Sequence, residues 1–451
     1  MTLESIHILA VGSLIAVPLL LAGVFALAMW TRAAVSESTE RLVAAAMSVG
    51  FLLPALGGAV LLVLSSQTGV ARFDLGSWFE VGHYHYEITL LADSLSLSTA
   101  LAFGGLTGLI GLFSRRYLHR ETGFFRFYFL LALFGAGVEI VLLAGGLDLV
   151  FIGWEMVGVS SALLIAFFHE RRKPVEHGLR AFVTYRLCDI GLLSAAIWMH
   201  HLTGSTAFVG TESWAMLAAP ATVSGATVVG LLIVMATLGK SAQVPIGGWL
   251  PRAMEGPTPS SAIFYGAVSI HLGPYLLLRA APLLDASVVV RVAVITIGAA
   301  TALHGTFVGR VQTDIKSALA YASMTQVGII FVEIGLGLHT IALVHIIGHA
   351  FMRSFQILRS PSLLHDHQRL EYAMGDVLPR TGAHIERLVP RSLQPWLYRH
   401  ALERGYFDSI LVDWVAGGFV RFVRWIDGLD QRWVTWLAGT TAETHNGDDA
   451  R

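Results

Sequence analysis

The residues best placed to do chemistry are ionisable groups set inside apolar runs. Lys240 closes the run that begins at Leu231, and it is one of only three lysines beside a large excess of arginine. An ammonium in hydrocarbon costs at least ~2.5–3.5 kcal/mol, and lysine is the basic side chain whose pKa moves readily on burial. Retaining such a group there points to proton transfer. Glu155 lies within Val150-Phe-Ile-Gly-Trp-Glu-Met-Val-Gly-Val-Ser160, flanked by small residues that let helices pack closely. It is the natural partner of Lys240. Buried apart, each group is driven neutral; together, each holds the other charged. Parting the pair would let Lys240 surrender its proton, and rejoining it would favour recapture. A static pair fixing two helices is the simpler alternative, but buried pairs are a poor route to stability.

A second polar set follows. His271, Lys316, Glu333, His345 and His349 fall within or at the ends of three later runs. His345 and His349 are four residues apart and share a helix face, with Arg353 one turn on. Imidazoles titrate near neutrality and suit a relay. Glu139 is a further intramembrane acid, while Arg186 and Asp189, three residues apart, read as a structural ion pair on one helix.

Other chemistries are weakly signalled. His83-Tyr-His85 and His365-Asp-His367 are short pairs without further ligands at diagnostic spacing, so no metal site is expected in this chain. No glycine-rich phosphate loop or nucleophile elbow occurs. Cys188, the single cysteine, cannot form an intrachain disulfide and reads as a small packing residue. A net charge of −1 without a basic tract gives no sign of a nucleic-acid partner.

The elements that must position these groups are membrane helices. Of the 451 residues 55% are hydrophobic and 14% charged. Runs of about twenty apolar residues, the length that crosses ~30 Å of hydrocarbon, recur along most of the chain. Hydropathy predicts an all-α, polytopic transmembrane helix bundle in the lipid bilayer, with spans near 6–30, 42–65, 93–114, 125–143, 147–168, 178–200, 218–240, 259–280, 287–308, 316–336 and 338–359. The first run lacks a basic flank and reads as a retained helix. Arginines and lysines gather on alternate loops, at Arg115, Arg116, Arg171, Arg172, Lys173 and Arg310 among others, which predicts an outward N-terminus and a cytoplasmic basic face.

Beyond Lys240, Pro245, Gly247, Gly248, Pro251, Gly256, Pro257 and Pro259 cannot share one regular helix. A broken helix at membrane depth turns backbone groups toward a hydrated cavity. Residues 1–92 read as two spans and an outer hairpin or interfacial loop over 70–92, and 93–360 as the conducting helical core. Residues 361–405 form a polar cytoplasmic segment. Residues 406–451 form an amphipathic helix carrying Trp414, Trp425, Trp433 and Trp436, suited to an interface, with a disordered last dozen residues.

The segments Gly153-Trp-Glu155, Gly239-Lys-Ser-Ala-Gln243, Trp249-Leu-Pro251, Ala253-Met-Glu-Gly-Pro-Thr-Pro259 and Asp314-Ile-Lys-Ser-Ala-Leu-Ala-Tyr321 resemble the proton-conducting antiporter-like subunits of respiratory complex I, Mrp antiporters and membrane-bound hydrogenases. The resemblance runs from about 90 to 360. It implies that Glu155 and Lys240 are the paired glutamate and proton-transferring lysine, and that Lys316, His345 and His349 are second-half channel positions. Tyr265 stands where that family has a histidine, with His271 about two turns later, and Arg353 stands where a lysine is expected. The implied fold is antiporter-like, with a broken helix and an incomplete second five-helix repeat. Within the family, Pro259-Ser-Ser-Ala-Ile-Phe-Tyr265, Ile346-Ile-Gly-His-Ala-Phe-Met-Arg353 and Ser360-Pro-Ser-Leu-Leu-His365 look closest to DabB, the membrane subunit of bacterial inorganic carbon accumulation. That likeness implies a multi-pass inner-membrane protein without enzyme activity or cofactor of its own, using the proton motive force to energise CO2 hydration in a soluble zinc-binding DabA-like partner. The alternatives are a proton- or sodium-pumping subunit of a complex I, hydrogenase or Mrp-type assembly, and a non-conducting membrane anchor.

Overall fold

A computed structural model describes residues 3–65, 71–82, 84–210, 213–219, 222–374 and 389–438. Among these, eleven helices are long and apolar enough to cross a membrane. They are α1 (Leu3–Trp30), α2 (Glu37–Ser65), α3 (Ser94–Tyr117), α4 (Phe124–Leu143), α5 (Leu147–Ile165), α6 (Arg172–Thr203), α7 (Val223–Lys240), α8 (Thr258–Arg279), α9 (Val288–Gly309), α10 (Ile315–Gly335) and α11 (His339–Met374). Each overlaps its predicted span. The chain is an all-α membrane bundle, as its hydropathy requires.

Side chains set several helix starts. Asp93 accepts from the Ser96 amide at 2.8 Å to open α3, and Asp314 accepts from the Ser317 amide at 2.7 Å to open α10. Each satisfies an amide that the first helical turn leaves without a partner. The expected hairpin is present as β1 (Ala71–Val81) and β2 (Tyr84–Ala92), antiparallel, with Ala71 opposite Ala92. Its apolar end, Leu90 and Leu91, is buried, and Leu90 bridges to Ala144 at the corner between α4 and α5. The hairpin thus covers one end of the bundle.

Two features of the packing position the ionisable groups. Gly137 on α4 and Gly153 on α5 face each other so closely that a Cβ on Gly153 would stand 2.6 Å from the Gly137 carbonyl oxygen. Small residues here let the two backbones touch, which sets Glu155 at a helix crossing. The second feature is α8, whose span is buried along its whole length. Its hydrogen bonding is irregular: a π-type turn covers Ala262–Ala267, a tighter turn Ser269–His271, and regular helix resumes at Leu272. Pro274 has no amide to return to Ile270, which favours such a local rearrangement.

The C-terminal third departs from an even span. α11 continues past Pro361 to Met374, so the polar segment expected from 361 begins as helix. Residues 375–388 and 439–451 lie outside the described residues. α12 (Gln394–Leu402) and α13 (Gly417–Leu437) follow. Along α13 Phe419, Phe422, Trp425, Trp433 and Trp436 are all exposed, the unpartnered amphipathic surface that its sequence predicts.

Candidate functional site

α7 ends at Lys240, and the chain then runs irregularly from Ser241 to Gly248 before a single helical turn at Trp249–Arg252. The freed backbone groups find partners inside the bundle. Trp249 Nε1 donates to the Gly239 carbonyl at 3.0 Å, and the Val244 amide donates to Thr301 Oγ1 at 3.0 Å. Lys240 is fully buried. Its Nζ donates to the Trp154 carbonyl at 3.0 Å and stands 4.6 Å from the Tyr185 ring centre and 5.0 Å from that of Trp154. Aromatic faces and one carbonyl therefore form its near surroundings.

The predicted Glu155–Lys240 pair is not what forms. Glu155 pairs with Arg186 across α5 and α6. Arg186 also holds Asp189, at 2.8 Å, which is the local pair expected from their spacing. Asp189 accepts in addition from Trp154 Nε1 at 2.5 Å. Trp154 thereby joins the two halves, its indole bound to the acid and its carbonyl to the amine. The physical reason for the correction is geometric. A guanidinium is a planar fork that can serve two carboxylates at once, whereas an ammonium is a point charge. Asp189 is the carboxylate linked to Lys240, through the indole and carbonyl of Trp154.

With both carboxyls ionised, two carboxylates and one guanidinium would leave a single net negative charge in this triad. A protonated Lys240 neutralises it. Loss of that proton would leave the cluster negative and able to draw in another, which is the property a transfer site needs.

The later polar residues assemble into two further groups. His271 Nδ1 donates to the Ala267 carbonyl, and its Nε2 lies 2.9 Å from His349 Nδ1. Arg353 Nε donates to His349 Nε2, at 3.5 Å, and its Nη1 to Gln356 at 2.8 Å. The donor sense is consistent along the string: from Arg353 to His349, to His271, to a backbone carbonyl. Arginine at 353 fixes that direction because it can only donate. In the second group His345 Nδ1 lies 3.0 Å from Glu333 and its Nε2 3.0 Å from Gln326 Oε1. Both ring nitrogens thus face acceptors.

Along the chain between Lys240 and His271 lie four unpartnered buried polar groups; Tyr265 is expected in the pathway, whereas Ser241, Gln243 and Ser269 are not singled out from sequence. Ser241 Oγ, Gln243 Oε1, Tyr265 Oη and Ser269 Oγ are all buried without a protein partner. Buried groups of this kind bind water. The Tyr265 ring packs edge-on to Trp249 at 5.6 Å, and Trp249 to Tyr185 at 4.9 Å, so Tyr265 belongs with the Lys240 end. The only sequence signal for Ser241, Gln243 and Ser269 was their polarity within the broken segment and α8.

Glu139 is buried, with Oε2 unpartnered, against Gly104 of α3; the neighbouring Phe103 ring lies 6.4 Å from His271. Lys316 is only partly buried at the first turn of α10 and joins neither group. Among the described residues no three His, Cys, Asp or Glu come together as a metal site. His83 and the side chains of His365 and His367 lie outside the described residues. Cys188 is buried, packed on Gly239. At the hairpin end a polar cavity of about 260 Å³ is lined by Arg72, His85, Glu87, Asp148, His200 and Thr206.

The chain is similar to known membrane proteins in sequence and in fold. Residues 144–375 match the family described as NADH:quinone oxidoreductase/Mrp antiporter, TM, and residues 78–128 match the NADH-ubiquinone oxidoreductase (complex I) chain 5 N-terminus. The chain is 32% identical over 324 residues to NAD(P)H-quinone oxidoreductase chain 5 of Synechocystis sp., covering 70% of this chain and 47% of that one. It is 33% identical over 291 residues to NADH-quinone oxidoreductase subunit L of Mycobacterium tuberculosis, covering 64% and 46%. The chain therefore spans about half the length of the curated relatives it matches. Among solved structures, the Mrp complex from Dietzia sp. superposes with a TM-score of 0.63 at 28% identity, over 76% of this chain and 37% of that one. An archaeal membrane-bound sulfane sulfur reductase, at TM-score 0.64 and 19% identity over 77% and 70%, shares the fold. With half its length matched to one family model, and with the broken helix and buried lysine in place, this chain belongs to the NADH:quinone oxidoreductase/Mrp antiporter family of membrane subunits.

Proposed function

We propose that the chain is a proton-translocating subunit of a larger membrane assembly and has no catalytic chemistry of its own. The observation that carries this reading is Lys240: fully buried, at the break in a membrane helix, and held by a carbonyl instead of a locked carboxylate. Lys240 takes and gives the proton. Arg186 tunes it by the share of Glu155 and Asp189 that it neutralises, and Trp154 keeps the amine and Asp189 in register. Water bound at Ser241, Gln243, Tyr265 and Ser269 carries the proton toward His271 and His349, with His345 and Glu333 beyond. Glu139 is a side acid to the His271 end, and Lys316 a basic group at the mouth of α10. A proton crossing a 100 mV potential releases ~2.3 kcal/mol, enough to bias a conformational step. The basic loops support an outward N-terminus, and the bacterial relatives support residence in an inner membrane.

The test is proton flux into liposomes containing the whole assembly. Lys240→Ala and Glu155→Gln should each abolish most of it, and undiminished flux with normal assembly would leave the chain a non-conducting anchor.

The relatives named above favour a redox-linked or Mrp-type assembly over other couplings. A second reading, that the flux energises inorganic carbon accumulation by a soluble zinc-binding partner, is favoured by the segments at 259–265, 346–353 and 360–365. Affinity purification of the chain from its own membranes separates the two. A co-purifying zinc protein supports carbon accumulation, and quinone-reductase or antiporter subunits support the first reading.

A further inference from the structure

A short stretch after α12 makes contacts that translocation does not require. Asp408 is clasped between Arg180 of α6 and Arg252, the residue that ends the turn after the break. The Arg252 contact measures 2.7 Å. Arg252 Nη1 also donates to the Gly248 carbonyl at 2.7 Å, so one guanidinium ties the carboxylate to the broken segment itself. Phe407 packs edge-on to His304 of α9 at 5.1 Å. Beneath it a narrow cavity is lined by Val244, Pro245, Gly247, His304, Tyr321 and Phe407. Its floor is the irregular stretch that leads on from Lys240.

Two independent observations indicate that this fit is specific. A Cβ on Gly248 would stand 2.6 Å from Asp408 Oδ1, although the Gly248 backbone, at φ −63°, would accept any residue. A larger residue there would have to displace the Asp408 carboxylate, while the turn itself would accept it. Arg404, Gly405 and Tyr406 are also consecutively left-handed, with φ of 52°, 71° and 58°. Two of these are not glycine, and such a conformation persists only where its surroundings hold it. Burial alone would raise the Asp408 carboxyl, but Arg252, with Arg180 and Arg404, holds it below the usual carboxylate range.

We propose that residues 403–409 form an intrachain latch over the mouth of the broken helix, with Asp408 as its clasp and Phe407 as its lid. Release of the clasp opens the stretch from Ser241 to Gly248 to water on the arginine-rich face. That this opening admits protons to Lys240 rests on the translocation reading above; the closure itself does not.

The latch is tested in full-length chain by thiol labelling. Cys188→Ser removes the native thiol, and Val244→Cys places a small reporter under Phe407, at a position only 9% exposed. A water-soluble maleimide should label this background slowly. Asp408→Ala and Gly248→Ala should each speed labelling at least about tenfold, as for loss of a local closing contact, while Asp408→Glu should restore most of the protection. Gly248→Ala keeps every charge, so it separates opening from loss of an ion pair. If either alanine change leaves the rate within about twofold of the background, the latch does not shield the break and the proposal fails. Labelling and flux also fail separately. Flat labelling with Lys240-dependent flux sinks the latch alone, and a labelling response with Lys240-independent flux sinks the translocation reading alone.

Discussion

At the scale of single residues, the central point is that Arg186 stands where a simpler design would place the lysine. It holds Glu155 and Asp189 together, and Trp154 relays Asp189 to Lys240 through its own indole and carbonyl. The charge seen by Lys240 therefore depends on how one guanidinium is shared between two carboxylates. Arg186→Lys keeps the charge but cannot span both carboxylates. It should lower proton flux by about tenfold, with Arg186→Gln lower still, measured in the same liposomes. Equal flux in the arginine and lysine forms would show that the fork does not matter. Trp154→Phe deletes the indole donor but keeps the carbonyl, and should reduce flux while leaving Lys240 buried.

Packing between helices decides where those residues stand. The α4–α5 crossing at Gly137 and Gly153 has no room for a methyl group: at Gly153 it would meet the Gly137 oxygen at 2.6 Å and the Val141 amide at 2.9 Å. Backbone atoms cannot retreat as a flexible side chain can. Gly153→Ala should therefore destabilise the folded chain by about 1–3 kcal/mol, read as a lower thermal midpoint in detergent. Gly105 on α3 is the control, since a Cβ there meets nothing within 4 Å. Gly105→Ala should be neutral or slightly stabilising, because alanine loses less backbone freedom on folding. The irregular turns of α8 belong at this scale too, because they bring His271 and Tyr265 onto faces that a regular helix would separate differently.

Over the whole molecule, ion pairs tie the two ends of the bundle across long stretches of sequence. Asp408 closes the arginine-rich end against Arg180 and Arg252. At the hairpin end Asp93 pairs with Arg279, joining the start of α3 to the end of α8. Burial opposes the Asp93 carboxylate, but hydrogen bonding and charge from Arg279 and the Ser96 donors bring it below its ordinary range. A carboxyl depressed in the folded state contributes stability that is fully present above its unfolded value of ~3.9 and is lost as pH falls through the lowered folded value. The thermal midpoint of the parent should thus lose this contribution only below about pH 4. Asp93→Asn should lower the midpoint at neutral pH and flatten the acid decline. A parallel decline in the two proteins would show that the pair is not the source.

Read along the chain, hydropathy located the spans, and proline and glycine spacing the break after Lys240, because membrane crossing and proline chemistry are local properties. The same local reading picked out Lys240, Glu155, His271, His345 and His349, since an ionisable group in an apolar run is conspicuous wherever it packs. The Arg186–Asp189 pair was equally legible, both members lying on one helix face. Only tertiary structure decided which groups meet. Joining Glu155 to Arg186 depends on how α5 and α6 rotate against each other, and hydropathy carries no information on rotation. The order of donors from Arg353 to Ala267 depends on the irregular turns of α8. Asp408 reaches Arg180 across more than two hundred residues, a contact fixed by the path of the folded chain and by no pattern within either segment.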